Sequence, residues 1–247
     1  YWVAQLSGTP VLELPTDFPR PRVQGLKGGV VSFELPQGIG KGIHEITRET
    51  GTTTFMALIA VFKILLSRYS GQDDIALGTP IANRNRKEIE DIIGFFVNTL
   101  VLRSDLSGTP GFKEILARIR KVALGAYAHQ DIPFEMLVDK ISPQRDISRP
   151  PLFQVFFSFQ AHEVKSLDLP GLDNEFLELE TGTSKFDLSL FLGENQGRFT
   201  GALEYNLDIF CRETIERLAG HFSVLLEGVL SNPDEPVNRV SILAPGE

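Results

Sequence analysis

The sequence predicts an α/β layer fold, a mixed sheet covered by helices, on three observations. Apolar residues at Phe55, Leu58, Ile59, Phe62, Leu65, Leu66 and Tyr69 keep helical spacing over roughly four turns. "DIALGTPIA" and "NTLVLRSDL" read as buried strands, while "LFQVFFSFQ", "KFDLSLFL" and "RFTGALEYN" alternate at period two. Helix and strand signals are mixed along one chain, as a sheet covered by helices requires.

In chain order, residues 1–28 read as the tail of a helix and then an irregular segment, because Pro10, Pro15, Pro19 and Pro21 exclude regular structure. Val30 to Leu35 predicts a strand, and Lys41 to Thr50 a helix stopped by Gly51. Thr52, Thr53 and Thr54 can cap the long apolar helix, which ends at Ser70-Gly71. Gly111 to Ala128 is amphipathic through Phe112, Ile115, Leu116, Ile119 and Val122, and a short helix follows from Pro133 to Lys140. A closing helix carries Ile215, Leu218, Phe222, Leu225 and Val229, and "SNPDEPVNRVSILAPGE" reads as an exit linker. The expected organisation is a linking segment at 1–28, a folded body at 29–231 and a linker at 232–247.

With 247 residues, 42% hydrophobic and 23% charged, the chain has enough apolar material for a sizeable core, so general disorder is not expected. The excess of 32 acids over 24 bases argues against nucleic acid or an anionic membrane as the main partner. Cys211 is the single cysteine, so no internal disulfide can form, and there is no glycosylation sequon or signal peptide pattern. A reducing, cytoplasmic setting is the expectation. The first residues, Tyr1-Trp2, carry no initiator methionine, so the chain reads as part of a longer protein.

Local motifs offer little chemistry. "GIGKG" at 38–42 lacks the leading glycine and the Ser or Thr of a phosphate loop, and a glycine-rich turn opening a helix explains it better. His44, His129, His162 and His221 have no metal-ligand spacing, so no metal is expected, and Cys211 has no neighbour to activate it. Three segments stand out. "IGFFVNTLVLR" places Asn98 and Thr99 at the mouth of an apolar strand. In "HQDIPFE", Asp131 can cap a helix whose first turn suits Pro133. "RDISRPPLFQ" packs two arginines and an aspartate before a very apolar strand. Capping and a loop ion pair account for most of these features.

Together and in this order, the three segments closely resemble core motifs of condensation domains from nonribosomal peptide synthetases. Those read I/V-G-x-F-V-N-T, H/N-Q-D-x-P-F-E and R-D-x-S-R-x-P-L. Here they are Ile93-Gly94-Phe95-Phe96-Val97-Asn98-Thr99, His129-Gln130-Asp131-Ile132-Pro133-Phe134-Glu135 and Arg145-Asp146-Ile147-Ser148-Arg149-Pro150-Pro151-Leu152. "YWVAQLSGTPVLELPTDFPRP" is similar to the family's interlobe segment, and "GTPIANR", "SKFDLSL" and "LEYNLDIF" also look like family sequence.

The resemblance implies a chloramphenicol acetyltransferase-like architecture of two lobes with a tunnel between them. The family's H-H-x-x-x-D-G motif lies in the N-terminal lobe, and no His-His pair occurs in this sequence. The chain therefore resembles the C-terminal lobe alone, with the catalytic histidine in an N-terminal lobe outside it. By itself it is expected to fold but not to turn over. The family joins aminoacyl or peptidyl thioesters carried on phosphopantetheine by upstream and downstream carrier proteins, beside an adenylation domain. This chain is expected to bind no cofactor directly.

By the same resemblance, Arg84 pairs with the aspartate of the histidine motif, Asn98 faces that region, and Ser184 lies near the acceptor mouth or acts as a turn hydroxyl. Gly94, His129, Gln130, Asp131, Pro133, Arg145, Asp146 and Arg149 organise the core and loops. The Phe-rich strands at 153–159 and 186–192 supply a tunnel wall, and the face meant for the other lobe favours self-association when exposed. The alternatives are an epimerization domain, a stand-alone acyltransferase, or a non-catalytic carrier-docking platform using "NRNRK" at 83–87 or "RIRK" at 118–121.

Overall fold

The computed structural model describes residues 1–141, 146–161, 181–244 and 246. Among them, strands β1 (Gly28–Glu34), β2 (Asp74–Ile81), β3 (Asn98–Asp105), β4 (Val155–Gln160), β5 (Leu188–Asn195) and β6 (Arg198–Asn206) form one sheet in the order β1-β6-β5-β4-β2-β3. The sheet is mixed. β4 runs parallel to both β2 and β5, and the remaining pairs are antiparallel. The helices are α1 (Trp2–Leu6), α2 (Ile39–Thr50), α3 (Thr54–Ser70), α4 (Phe112–Tyr127), α5 (Phe134–Ile141) and α6 (Arg212–Ser231).

The helix layer on one face is built around α3. Thr53 caps it by accepting from the Met56 amide at 3.2 Å, and Gly71 closes it at φ 70°. Every residue from Met56 to Leu66 is buried, because α2, α4 and α6 surround α3 while its remaining side meets β2. The predicted apolar face is thus only part of an all-round buried helix, which takes even Lys63 inside. The glycines of "GIGKG" serve packing at α2. A Cβ on Gly40 would lie 3.0 Å from the Phe199 ring, and Gly38 starts the helix at φ 85°.

The other face is only half covered. Trp2 and Leu6 of α1, Leu137 and Val138 of α5, and Phe153 are buried over the β2–β3 end. Gly78 of β2 sits directly under Phe153, where a Cβ would come within 2.2 Å of the ring. The β1-β6-β5-β4 part of this face carries no helix among the described residues.

The irregular N-terminal segment is tied down along its length. The Leu12 amide donates to Gln154 Oε1 at 2.9 Å, and Asp17 accepts from the Cys211 amide at 2.9 Å and the Thr214 hydroxyl at 2.8 Å. Asp17 thereby serves the start of α6. Burial works to raise its carboxyl, and these donors together hold it below the usual carboxylate range. Residues 232–240, expected as a linker, also pack on the body. Val237 and Val240 are buried, and Arg68 Nη1 donates to the carbonyls of Val237, Asn238 and Val240. No single helix among the described residues is long and apolar enough to cross a membrane.

Candidate functional site

Strand register lays a grid of side chains on the uncovered sheet face, since alternate residues of each strand point the same way. Glu34, Thr200, Gly193 and Gln160 form one row, Ser32, Ala202, Phe191 and Ser158 the next, and Val30, Glu204, Ser189 and Phe156 the third. An open cleft of about 870 Å³ lies over the first two rows. Phe156 stacks on Phe186 at 5.0 Å with parallel rings, and Phe153 lies 5.1 Å from Phe186.

Only some of the phenylalanines of 153–159 and 186–192 lie on this side of the sheet. Phe157 turns to Phe55 and Phe62 in the helix layer, and Phe159 to Phe199. Glu204 sits on the same face, where burial raises its carboxyl above the usual range while Ser184 and Lys185 pull it down. Ser184 itself is buried and donates to the Phe186 carbonyl at 2.7 Å, a turn-closing contact.

The three motifs meet beside this face, and Asn98 joins two of them. Its Nδ2 donates to the carbonyls of Gln130 and Ile132, both at 2.9 Å. Its Oδ1 accepts from the Thr99 amide at 2.9 Å and the Phe134 amide at 3.1 Å. Asn98, not Asp131, thus serves the first amide of α5, because the β3 edge places an acceptor there while Asp131 turns away to accept from Asn85 Nδ2 at 2.9 Å. Pro133 precedes α5, and its carbonyl accepts from the Met136 and Leu137 amides.

Replacing Asn98 by Ala is expected to destabilise the chain by about 2 kcal/mol, because paired backbone groups lose partners. Asn98→Asp should cost more, since a carboxylate would face two carbonyls. Urea unfolding and exchange of the Phe134 amide measure both. Wild-type protection of Phe134 in Asn98→Ala would show that the side chain is not its partner.

The remaining motif residues hold loops. The His129 ring stacks on Tyr1 at 4.2 Å, its Nδ1 lies 2.9 Å from the Gly125 carbonyl, and its own carbonyl accepts from Trp2 Nε1 at 2.9 Å. Gln130 contributes its carbonyl to Asn98. Asp146 accepts from the Ser148 hydroxyl at 2.6 Å and amide at 2.8 Å, which lowers its carboxyl. Arg149 forms a two-point pair with Glu13 at 2.7 and 3.0 Å. Arg145 and His162 lie outside the described residues.

Arg84 organises the loop between β2 and β3. Its Nη1 donates to the carbonyls of Ile89 and Glu90 and its Nη2 to that of Gly94, and the guanidinium sits 4.4 Å from the centre of the Phe96 ring. The same loop leaves Ile93 100% and Phe95 92% exposed, an uncommon cost for large apolar side chains.

Sequence reasoning missed three buried polar centres: the Arg20–Asp187 pair, Gln154 and Lys63. For Asp187, Gln154 and Lys63 the nearest signal was a polar residue among apolar ones, which spacing alone does not distinguish from a solvated one, and Arg20 lies between two prolines with no such signal. Among the described residues no group of three His, Cys, Asp or Glu side chains could hold a metal.

A single mixed sheet with helices across one face and half of the other, the remaining half carrying aromatic side chains and no helix among the described residues, is an acyltransferase-like two-layer α/β architecture. The condensation-domain family model matches residues 1–247, and the chain belongs to that family. It is 47% identical over 249 residues to one of the linear gramicidin synthase proteins of Brevibacillus parabrevis, covering 99% of this chain but 5% of that protein. It superposes on a four-domain nonribosomal peptide synthetase bound to AMP and glycine with a TM-score of 0.91, at 24% identity, over 99% of this chain and 20% of the other. The X-domain from teicoplanin biosynthesis matches at a TM-score of 0.91 and 27% identity, over 98% of this chain and 56% of that one. An X-domain from teicoplanin biosynthesis is also known in complex with OxyB. The chain thus spans a small part of the curated relatives that it matches, in a nonribosomal peptide synthetase context.

Proposed function

We propose that this chain is the C-terminal half of a condensation domain that forms amide bonds between carrier-bound aminoacyl or peptidyl thioesters. The observation that carries this reading is the aromatic half-face, which carries no helix among the described residues, beside an exposed apolar loop. A tunnel wall needs such a surface to exclude water, and a second lobe would cover the loop. The amine of the downstream substrate attacks the upstream thioester carbonyl, the sulfur leaves as a thiol, and the lengthened chain stays on the acceptor carrier. This chain has no H-H-x-x-x-D-G motif, so its own contribution is the wall, the alignment of substrates and the support of the other lobe.

Arg84 supports that lobe through its free donors. Nε has no partner among the described residues, so a carboxylate from the histidine loop can bind there while the loop carbonyls keep the guanidinium in place. The test is to join this chain to an H-H-x-x-x-D-G lobe and supply a loaded donor and acceptor carrier. Amide is expected from the two-lobe protein and none from this chain alone. Arg84→Ala should lower the rate at least tenfold. No amide from the joined protein under carrier saturation would sink the condensation reading, and an undiminished rate in Arg84→Ala would remove Arg84 from it.

A second reading, a non-catalytic docking platform, is favoured by the likeness to the X-domain in complex with OxyB. It expects saturable, salt-sensitive binding of a carrier protein to this chain, weakened by charge reversal at Arg86 and Lys87, which are both exposed.

A further inference from the structure

The cleft over the sheet grid holds polar groups that the fold itself does not use. Ser158 is 8% exposed and lines the cleft, yet its hydroxyl has no hydrogen-bond partner among the described residues. Ser189, one row away on the neighbouring strand, is 1% exposed and also unpartnered. The Ser189 hydroxyl is fully buried, and leaving such a group unpaired costs on the order of 1–3 kcal/mol, whereas the Ser158 hydroxyl opens into the cleft and is free to meet a ligand. At the β1 end of the cleft, one row along, Glu34 is exposed, with no ion-pair or hydrogen-bond partner among the described residues.

Between these ends, Ser32 and Ala202 keep the floor low, and Phe191 stands up as an apolar wall, 40% exposed. From Ser158 on β4 to Glu34 on β1 is three strand spacings across the sheet and one row along it, about 16 Å. A glutamate side chain reaching inward shortens that span to the length of an extended basic side chain attached to an acyl group.

We propose that this cleft selects an aminoacyl substrate with a long cationic side chain, the Ser158 hydroxyl donating to the acyl carbonyl, Phe191 packing the aliphatic stem and Glu34 pairing with the cationic tip. The proposal rests on the condensation reading for its carrier-bound substrate, but names residues and a side-chain class which that reading leaves open. No lysine or arginine lines the cleft among the described residues, so an acidic side chain would meet Glu34 without compensation. A neutral aliphatic one would gain the Phe191 contact and lose the ion pair.

The test titrates the arginyl, norleucyl and glutamyl amides of aminopantetheine into the full chain by calorimetry, following the Phe191 ring by NMR. The arginyl amide is expected to bind at least tenfold more tightly than the norleucyl amide, with the glutamyl amide weakest. Glu34→Gln should bring arginyl binding down to the norleucyl level, while Ser158→Ala should weaken both severalfold without changing their ratio. Neither side chain holds the fold together, so both variants should unfold with the wild type.

An arginyl preference that survives Glu34→Gln would overturn the proposal. So would equal binding of all three amides, or no saturable binding of any. Amide formation in the two-lobe protein is a separate readout. If that fails while selective arginyl binding stands, the condensation reading falls and the cleft assignment remains.

Discussion

Between pH 7 and pH 9.5 this chain is expected to gain about 3 kcal/mol of stability from one side chain, Lys63. Lys63 is fully buried in α3, and its Nζ donates to the carbonyls of Ile75 at 3.1 Å and Leu102 at 2.5 Å and to the Ser104 hydroxyl at 2.8 Å. Burial lowers its pKa to about 7, with the Asp74 carboxylate as the opposing influence. The folded pKa thus lies below the unfolded one. Between the two values the unfolded chain binds more protons, so stability rises with pH.

The phenols of Tyr1, Tyr127 and Tyr205 are raised by burial, so their folded-state titration stays above this window. Lys63→Met should flatten the slope and leave the chain at least as stable at pH 7, because an apolar side chain of similar length avoids burying a charge. Urea midpoints of both proteins at pH 7, 8, 9 and 9.5 give the answer. Parallel curves would mean that Lys63 stays charged in the folded chain, its three acceptors having compensated fully for burial.

Lys63 also illustrates what the sequence could and could not convey. The helical spacing from Phe55 to Tyr69 locates α3 to within one residue at each end, because burial of apolar side chains dominates that segment. The same spacing gives no sign that a lysine in its middle faces two strand carbonyls rather than water. That depends on how β2 and β3 pair, which is a long-range matter. The strands were legible for a similar reason. Their period-two alternation reappears as buried Leu188, Leu190 and Leu192 in β5 and Phe199, Leu203 and Tyr205 in β6, while the residues between them make the grid.

The site was less readable, since its members come from four strands whose order, β1-β6-β5-β4, does not follow the chain. Local spacing alone makes Asp131 a reasonable cap. Only the approach of β3 to the start of α5 gives that role to Asn98, a residue 36 positions away from Phe134. The resemblance to the family identified which segments matter, and packing decided which atoms in them do the holding.

Removing the Asp187 carboxylate is expected to cost about 3 kcal/mol and to loosen the segment that crosses from α1 to β1. Asp187 accepts from Arg20 Nη1 at 2.9 Å and Nη2 at 2.5 Å, with side chains only 4% and 17% exposed. The two-point geometry fixes the guanidinium plane, and Arg20 Nη1 also reaches the Ser148 carbonyl at 3.4 Å. One ion pair therefore links the irregular N-terminal segment, the "RDISRPPL" motif and the start of β5. Around it, the Asp187 amide donates to the Gln154 carbonyl and the Asn206 amide to the Asp187 carbonyl, both at 3.0 Å.

Truncating either partner leaves the other charge partly buried and unpaired, so Asp187→Ala and Arg20→Met should each be strongly destabilising, whereas the double variant should recover part of the loss. A double-mutant cycle in urea measures the coupling, and amide exchange in residues 16–26 reports the loosening. In the two-lobe protein of the proposed function, where this segment would join the lobes, the same variants are expected to lower the rate of amide formation more than they raise the substrate concentration needed. Additive single effects, with exchange in that segment unchanged, would mean that the pair is incidental and that the backbone bonds around Asp187 hold the crossing by themselves.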